Sequence, residues 1–80
     1  MTKVLLYKTD NCKQCDEAES ALERLRKEKK FFLERINLEP NTDLFERFGS
    51  KVPVVFINEK MVSEFKFDDA AFLRKLGEIQ

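Results

Sequence analysis

TDNCKQCDEAESALERLRKEKK, residues 9–30, reads as a turn that becomes a long helix, with two cysteines three positions apart at the junction. Thr9-Asp10-Asn11 supplies turn and capping chemistry, and the spacing predicts a helix from about Lys13 to Lys30. Ala18, Leu22 and Leu25 recur at helical intervals with Ala21 beside them, while Glu19, Glu23, Arg24, Arg26 and Lys27 fall on the outer face. Acidic Asp16, Glu17 and Glu19 come early and Lys27, Lys29 and Lys30 late, which suits the helix dipole. Positions 15, 18, 22 and 25 share one face, so Cys15 joins the buried stripe. Cys12 precedes the first full turn and is the more exposed thiol. Residues three apart on a helix are neighbours, so the two sulfurs can meet.

Outward from this helix, strands and helices alternate. Val4-Leu5-Leu6-Tyr7 is a continuous apolar run, as expected of a strand buried on both faces of a sheet. Phe31–Leu38 reads as a second strand. Pro40-Asn41-Thr42 opens a short helix with Leu44, Phe45 and Phe48 on one side and Gly49 as its stop. A third strand, Val52–Ile57, is entered through Pro53. Asn58-Glu59-Lys60 makes a tight reversal into a short fourth strand, Met61-Val62-Ser63. Asp68 caps a last helix whose buried face is Phe72, Leu73 and Leu76, with Phe67 and Phe72 spaced as a hydrophobic staple. The order β-α-β-α-β-β-α predicts an α/β domain over residues 1–80: a mixed four-stranded sheet with helices on both faces. Its first two strands are expected to be parallel and its last two antiparallel.

Composition narrows the function. Lys+Arg and Asp+Glu number 15 each, which argues against nucleic acid as the main ligand, because phosphate binding wants a positive excess. No early apolar run is long enough for an export signal or a membrane span, so the expected compartment is the cytoplasm, with no membrane partner. Thiols are kept reduced there, which disfavours a purely structural disulfide. Two Cys and no His leave a closed zinc site short of ligands within one chain.

The position of the thiols points to redox chemistry. Free N–H groups and the dipole at a helix start favour an anion, so the Cys12 thiolate is expected to be stabilised, with a pKa below that of a free thiol. Lys13 and Lys8 add positive charge, and Asp10 and Asp16 oppose it. Cys12 would attack a substrate disulfide, and Cys15 would then attack the mixed disulfide and release the product. A C-x-x-C early in a βαβ pattern is the sequence signature of this chemistry. Two other readings stand beside it. One is a metal or iron–sulfur module bridged between two chains. The other is a non-catalytic partner-binding domain.

Cys12-Lys13-Gln14-Cys15 after the first strand, Val52-Pro53 before the third, the run Val54–Asn58 and Asp68-Asp69 together resemble the thioredoxin superfamily. The resemblance is closer to glutaredoxins and short glutaredoxin-like proteins, and it covers essentially the whole chain. It implies a disulfide-containing protein or small-thiol substrate, and a separate reductant, either thioredoxin reductase or glutathione. It also implies a monomer with no tightly bound cofactor. In that family the proline at the position of Pro53 is cis and lies against the C-x-x-C, so Val52 would offer its backbone to an extended substrate. Lys13-Gln14 replace the Pro-Tyr pair of glutaredoxins, and Lys51 replaces the Thr before Val-Pro. Ser63-Glu64 stand where a Gly-Gly admits glutathione; Lys51 remains to hold a carboxylate. Lys13 and Lys51 are therefore the expected substrate-binding cations.

Overall fold

The computed structural model describes residues 1–79. The elements are β1 (Lys3–Lys8), α1 (Lys13–Lys29), β2 (Phe32–Asn37), α2 (Asp43–Phe48), β3 (Val54–Ile57), β4 (Lys60–Ser63) and α3 (Asp69–Ile79). One four-stranded sheet runs in the order β2-β1-β3-β4. β2 lies parallel to β1, as a helical crossover between neighbouring strands requires, and β4 is antiparallel to β3. β3 returns antiparallel along β1, with Tyr7 opposite Val54 and Val4 opposite Ile57. The mixed sheet and element order expected from the sequence are therefore the ones observed.

The main core lies on one face of the sheet. Ala18, Leu22 and Leu25 of α1 and Phe72 and Leu76 of α3 pack with Val4, Leu6, Val55 and Ile57 in one buried cluster. Phe31 completes it, its ring centroid 5.6 Å from that of Phe72. Each fully buried aliphatic or aromatic side chain here contributes roughly 1.5–3 kcal/mol of transfer free energy.

The opposite face is only partly covered, and here the expectation of a doubly buried first strand fails. Val4 and Leu6 are fully buried, whereas Leu5 and Tyr7 are only half-buried. The cause is the length of α2. Its six residues reach the Tyr7 end of the sheet, where the Phe48 ring sits 5.1 Å from Tyr7 and 5.9 Å from Phe56. Beyond that point Lys3, Leu5, Phe56, Asn58 and Glu59 line an open depression.

The element ends follow local chemistry. Asp68 Oδ2 accepts from the Ala71 N–H at 2.8 Å, and Phe67 stacks 5.4 Å from Phe72, so the expected cap and staple are both present. Thr42 Oγ1 caps α2 by accepting from the Phe45 N–H at 3.2 Å. Gly49 differs from expectation, because its φ of −57° is right-handed rather than the left-handed stop. Glycine is needed there for space: a Cβ would come 2.5 Å from the Phe45 carbonyl oxygen. The third strand begins at Val54, after Pro53, which has no N–H to give to a ladder. Asn58 and Glu59 both take positive φ, 47° and 72°, the handedness a two-residue hairpin turn requires.

Glu19 and Glu23, expected on the outer face of α1, are instead half-buried among cations. Glu19 binds Lys8 of β1 at 2.8 Å and Arg35 of β2 at 2.6 Å, and Glu23 binds both Arg35 and Arg26. The network ties the helix to both strands that it connects.

Candidate active site

Three loops converge at one end of the sheet. β1 ends at Lys8 and leads through Thr9–Asn11 to Cys12. Because β3 runs antiparallel to β1, the segment before β3, residues 49–53, lies at the same end. β4 is antiparallel to β3, so the chain leaving Ser63 emerges there too. The topology thus gathers the C-x-x-C, Val52-Pro53 and the loop after β4, three segments far apart in sequence.

Cys12 is itself the cap of α1, a role the sequence pattern had given to Thr9-Asp10-Asn11. Asn11 turns the chain with φ 56°, a conformation that Asn tolerates better than most residues. Cys12 follows in extended geometry, and its Sγ accepts from the Cys15 N–H at 3.0 Å. Its carbonyl accepts from the Asp16 N–H at 3.1 Å, starting the helix. A sulfur in this position takes the place that a Ser or Asp oxygen usually fills, and it lies at the positive end of the macrodipole.

Cys12 and Cys15 form a disulfide with Cα atoms 5.2 Å apart, within the ordinary range for a bridge. The pair is asymmetric as expected: Cys15 is 0% exposed, in line with Ala18, Leu22 and Leu25, while Cys12 is partly exposed. Lys13 is exposed beside it and has no ion pair among the described residues. Lys8 does not act as a free cation here, since Glu19 meets its ammonium.

Pro53 is fully buried, and the Val52–Pro53 peptide bond is cis. Among the described residues Val52 has no backbone hydrogen-bond partner in the chain. Lys51 is exposed; its N–H donates to the Phe48 carbonyl at 2.8 Å and its carbonyl accepts from the Phe65 N–H at 2.7 Å. That second bond fastens the loop after β4 to the Pro53 segment. Ser63 pairs with Val55 beside an irregularity in the ladder, and its Oγ is buried with no hydrogen-bond partner. Phe65 is a site feature that sequence reasoning missed. Its φ of 68° and its 54% exposure carry no signature in residue order alone.

Among the described residues, no group of three or more His, Cys, Asp and Glu gathers to hold a metal. None of the described helices is long and apolar enough to cross a membrane.

The chain matches the family model of the glutaredoxin-like domain (DUF836) over residues 3–77. No curated protein sequence matches it. Among solved structures, it is similar to protein Ne2328 from Nitrosomonas europaea, with 28% identity and a TM-score of 0.77 over 92% of this chain and 89% of that one. It is also similar to target protein XcR50 from X. campestris, with 25% identity and a TM-score of 0.75 over 94% and 96% of the two chains. Glutaredoxin 1 from Francisella tularensis shares the fold at 14% identity, with a TM-score of 0.62 over 99% and 96%. Fold, family and the bonded C-x-x-C together support a thiol–disulfide redox role. With the model matched from the first strand into the last helix, the chain belongs to the glutaredoxin-like domain family.

Proposed function

We propose that the protein is a dithiol–disulfide oxidoreductase in which Cys12 is the nucleophile and Cys15 the resolving thiol. The observation that carries this reading is the asymmetry of the bonded pair: one sulfur at the open start of α1, the other sealed beneath it. In the reduced protein the Cys15 N–H and the helix dipole favour the Cys12 thiolate over the thiol.

The thiolate attacks one sulfur of the substrate disulfide along the S–S axis. A Cys12–substrate disulfide forms, the substrate S–S bond breaks, and the other substrate sulfur leaves as a thiolate that takes a proton from water. Cys15 then loses its proton and attacks Cys12 Sγ. The Cys12–Cys15 bond forms and the second substrate thiolate departs. Two electrons have passed from the dithiol to the substrate. A separate reductant, a reductase or a small thiol such as glutathione, returns the pair to the dithiol state. A reducing compartment such as the cytoplasm would sustain this cycle.

Val52 and Pro53 form the substrate groove in this proposal, with the unpaired backbone of Val52 available to an extended chain. Lys13 and Lys51 stand at its rim as the cations a carboxylate would meet. Ser63 and Glu64 occupy the place where glutathione needs glycines, so glutathione ranks below a polypeptide disulfide as substrate. Bridging of two chains by a metal would rest on Cys12 and Cys15 alone, and Cys15 is fully buried.

Cys12→Ser is expected to abolish disulfide reduction, and Cys15→Ser to accumulate a mixed disulfide on Cys12, seen as an intact-mass adduct. Full activity in Cys12→Ser would refute the assignment.

A further inference from the structure

We propose that Phe65 selects the substrate, favouring polypeptide disulfides that carry an apolar side chain next to the cysteine. The proposal rests on the dithiol reading above and adds the residue that sets its specificity.

Of the eight Phe in the chain, only Phe32 and Phe65 are strongly exposed among the described residues, at 55% and 54%. Phe32 opens β2 opposite Lys3, at the start of β1 and so at the end of the sheet away from Cys12. Phe65 lies at the reacting end, in the loop that its own N–H bonds to Lys51, two residues before Pro53. No other aromatic ring pairs with it among the described residues.

Its backbone is unusual as well. The Lys66 N–H donates to the Glu64 carbonyl at 2.7 Å, closing a three-residue reversal around Phe65 with φ at 68°. This hand of tight turn is rare, and positive φ is strained for a bulky L-residue. A glycine or asparagine would hold the same turn at lower cost. The chain therefore holds a more than half-exposed aromatic ring, outside the core cluster, on a backbone that disfavours it. Strain of this kind clusters where a group is held for a ligand.

The occupant follows from the chemistry. An extended peptide laid along the unpaired backbone of Val52 brings the side chains beside its cysteine to the neighbouring loop. An apolar one removes its own surface and that of the ring from water. The groups flanking cysteine in glutathione are carboxylate-bearing and offer nothing to bury there.

The test is single-turnover reduction by the prereduced protein of two short peptide disulfides, one with Leu and one with Ser beside the cysteine, and of 2-hydroxyethyl disulfide. The wild type should react faster with the Leu peptide than with the Ser peptide. In Phe65→Ala the rate ratio of the Leu peptide to 2-hydroxyethyl disulfide should fall about fivefold, the effect of an aromatic contact worth about 1 kcal/mol. Phe65→Gly, which also relaxes the turn, should lose the same preference while raising the melting temperature. Ratios unchanged in both variants would overturn the proposal and leave the dithiol reading intact. A wild-type protein that reduces none of the three would overturn both.

Discussion

Replacing Glu19 with Gln removes one charge while keeping size and helix propensity, and it tests the network that fixes α1 against the sheet. Each carboxylate oxygen of Glu19 holds one cation, Lys8 at 2.8 Å and Arg35 at 2.6 Å. An exposed ion pair is worth about 0.2–1 kcal/mol after screening. The Lys8 and Glu19 side chains are each 25% exposed and that of Arg35 37%, which places both pairs toward the upper part of that range. Arg35 keeps Glu23, so part of its contribution survives. The expected loss is therefore about 1–2 kcal/mol, out of a total of roughly 4–12 kcal/mol for a chain of this length. One kcal/mol lowers Tm by about 4–8 °C in a domain of this size. Thermal unfolding of wild type and Glu19→Gln should differ clearly in low salt. The gap should narrow in about 1 M NaCl, where the screening length is about 3 Å. An unchanged Tm, or a loss indifferent to salt, would refute the network's role.

Other expectations follow from single contacts. Gly49→Ala should destabilise by about 1–3 kcal/mol in urea unfolding, since its Cβ meets the Phe45 carbonyl rather than a flexible side chain. Asp68→Ala should cost about 1 kcal/mol by removing the cap on the Ala71 N–H, with Asp68→Asn retaining most of it. Leu22→Ala, at a fully buried position in the core cluster that also holds residues of β1 and α3, should cost about 3–5 kcal/mol and leave the protein close to unfolding at 37 °C.

What could be read from the sequence was whatever local chemistry determines. The stripe from Cys15 to Leu25 repeats at helical spacing, so its burial and the outward place of Cys12 were both legible. Asp68 with Phe67 and Phe72 is a local capping pattern and was equally plain. Features that depend on distant partners were not. A run such as Val4–Tyr7 shows that a strand is apolar but not how far a six-residue helix will reach across it, so the half-open face at Leu5 went unseen. Glu19 looks like any solvated acid until the fold brings Lys8 and Arg35 to it. The same holds for the site. Its two thiols sit in one local motif, whereas the approach of the Phe65 loop to Lys51 needs the β3–β4 hairpin to exist first. Cys12 as the helix cap was missed because the preceding Thr, Asp and Asn are stronger cap formers by type.

The central claim is that the two thiols differ in kind, one activated and one protected. The most direct test is the pH dependence of alkylation in the fully reduced protein, with Cys12 and Cys15 resolved by peptide mass spectrometry. The account predicts that Cys12 reacts with a midpoint clearly below the free-thiol value of about 8.5, while Cys15 stays slow throughout. Two thiols alkylated at similar rates, with midpoints near that of a free cysteine, would contradict it.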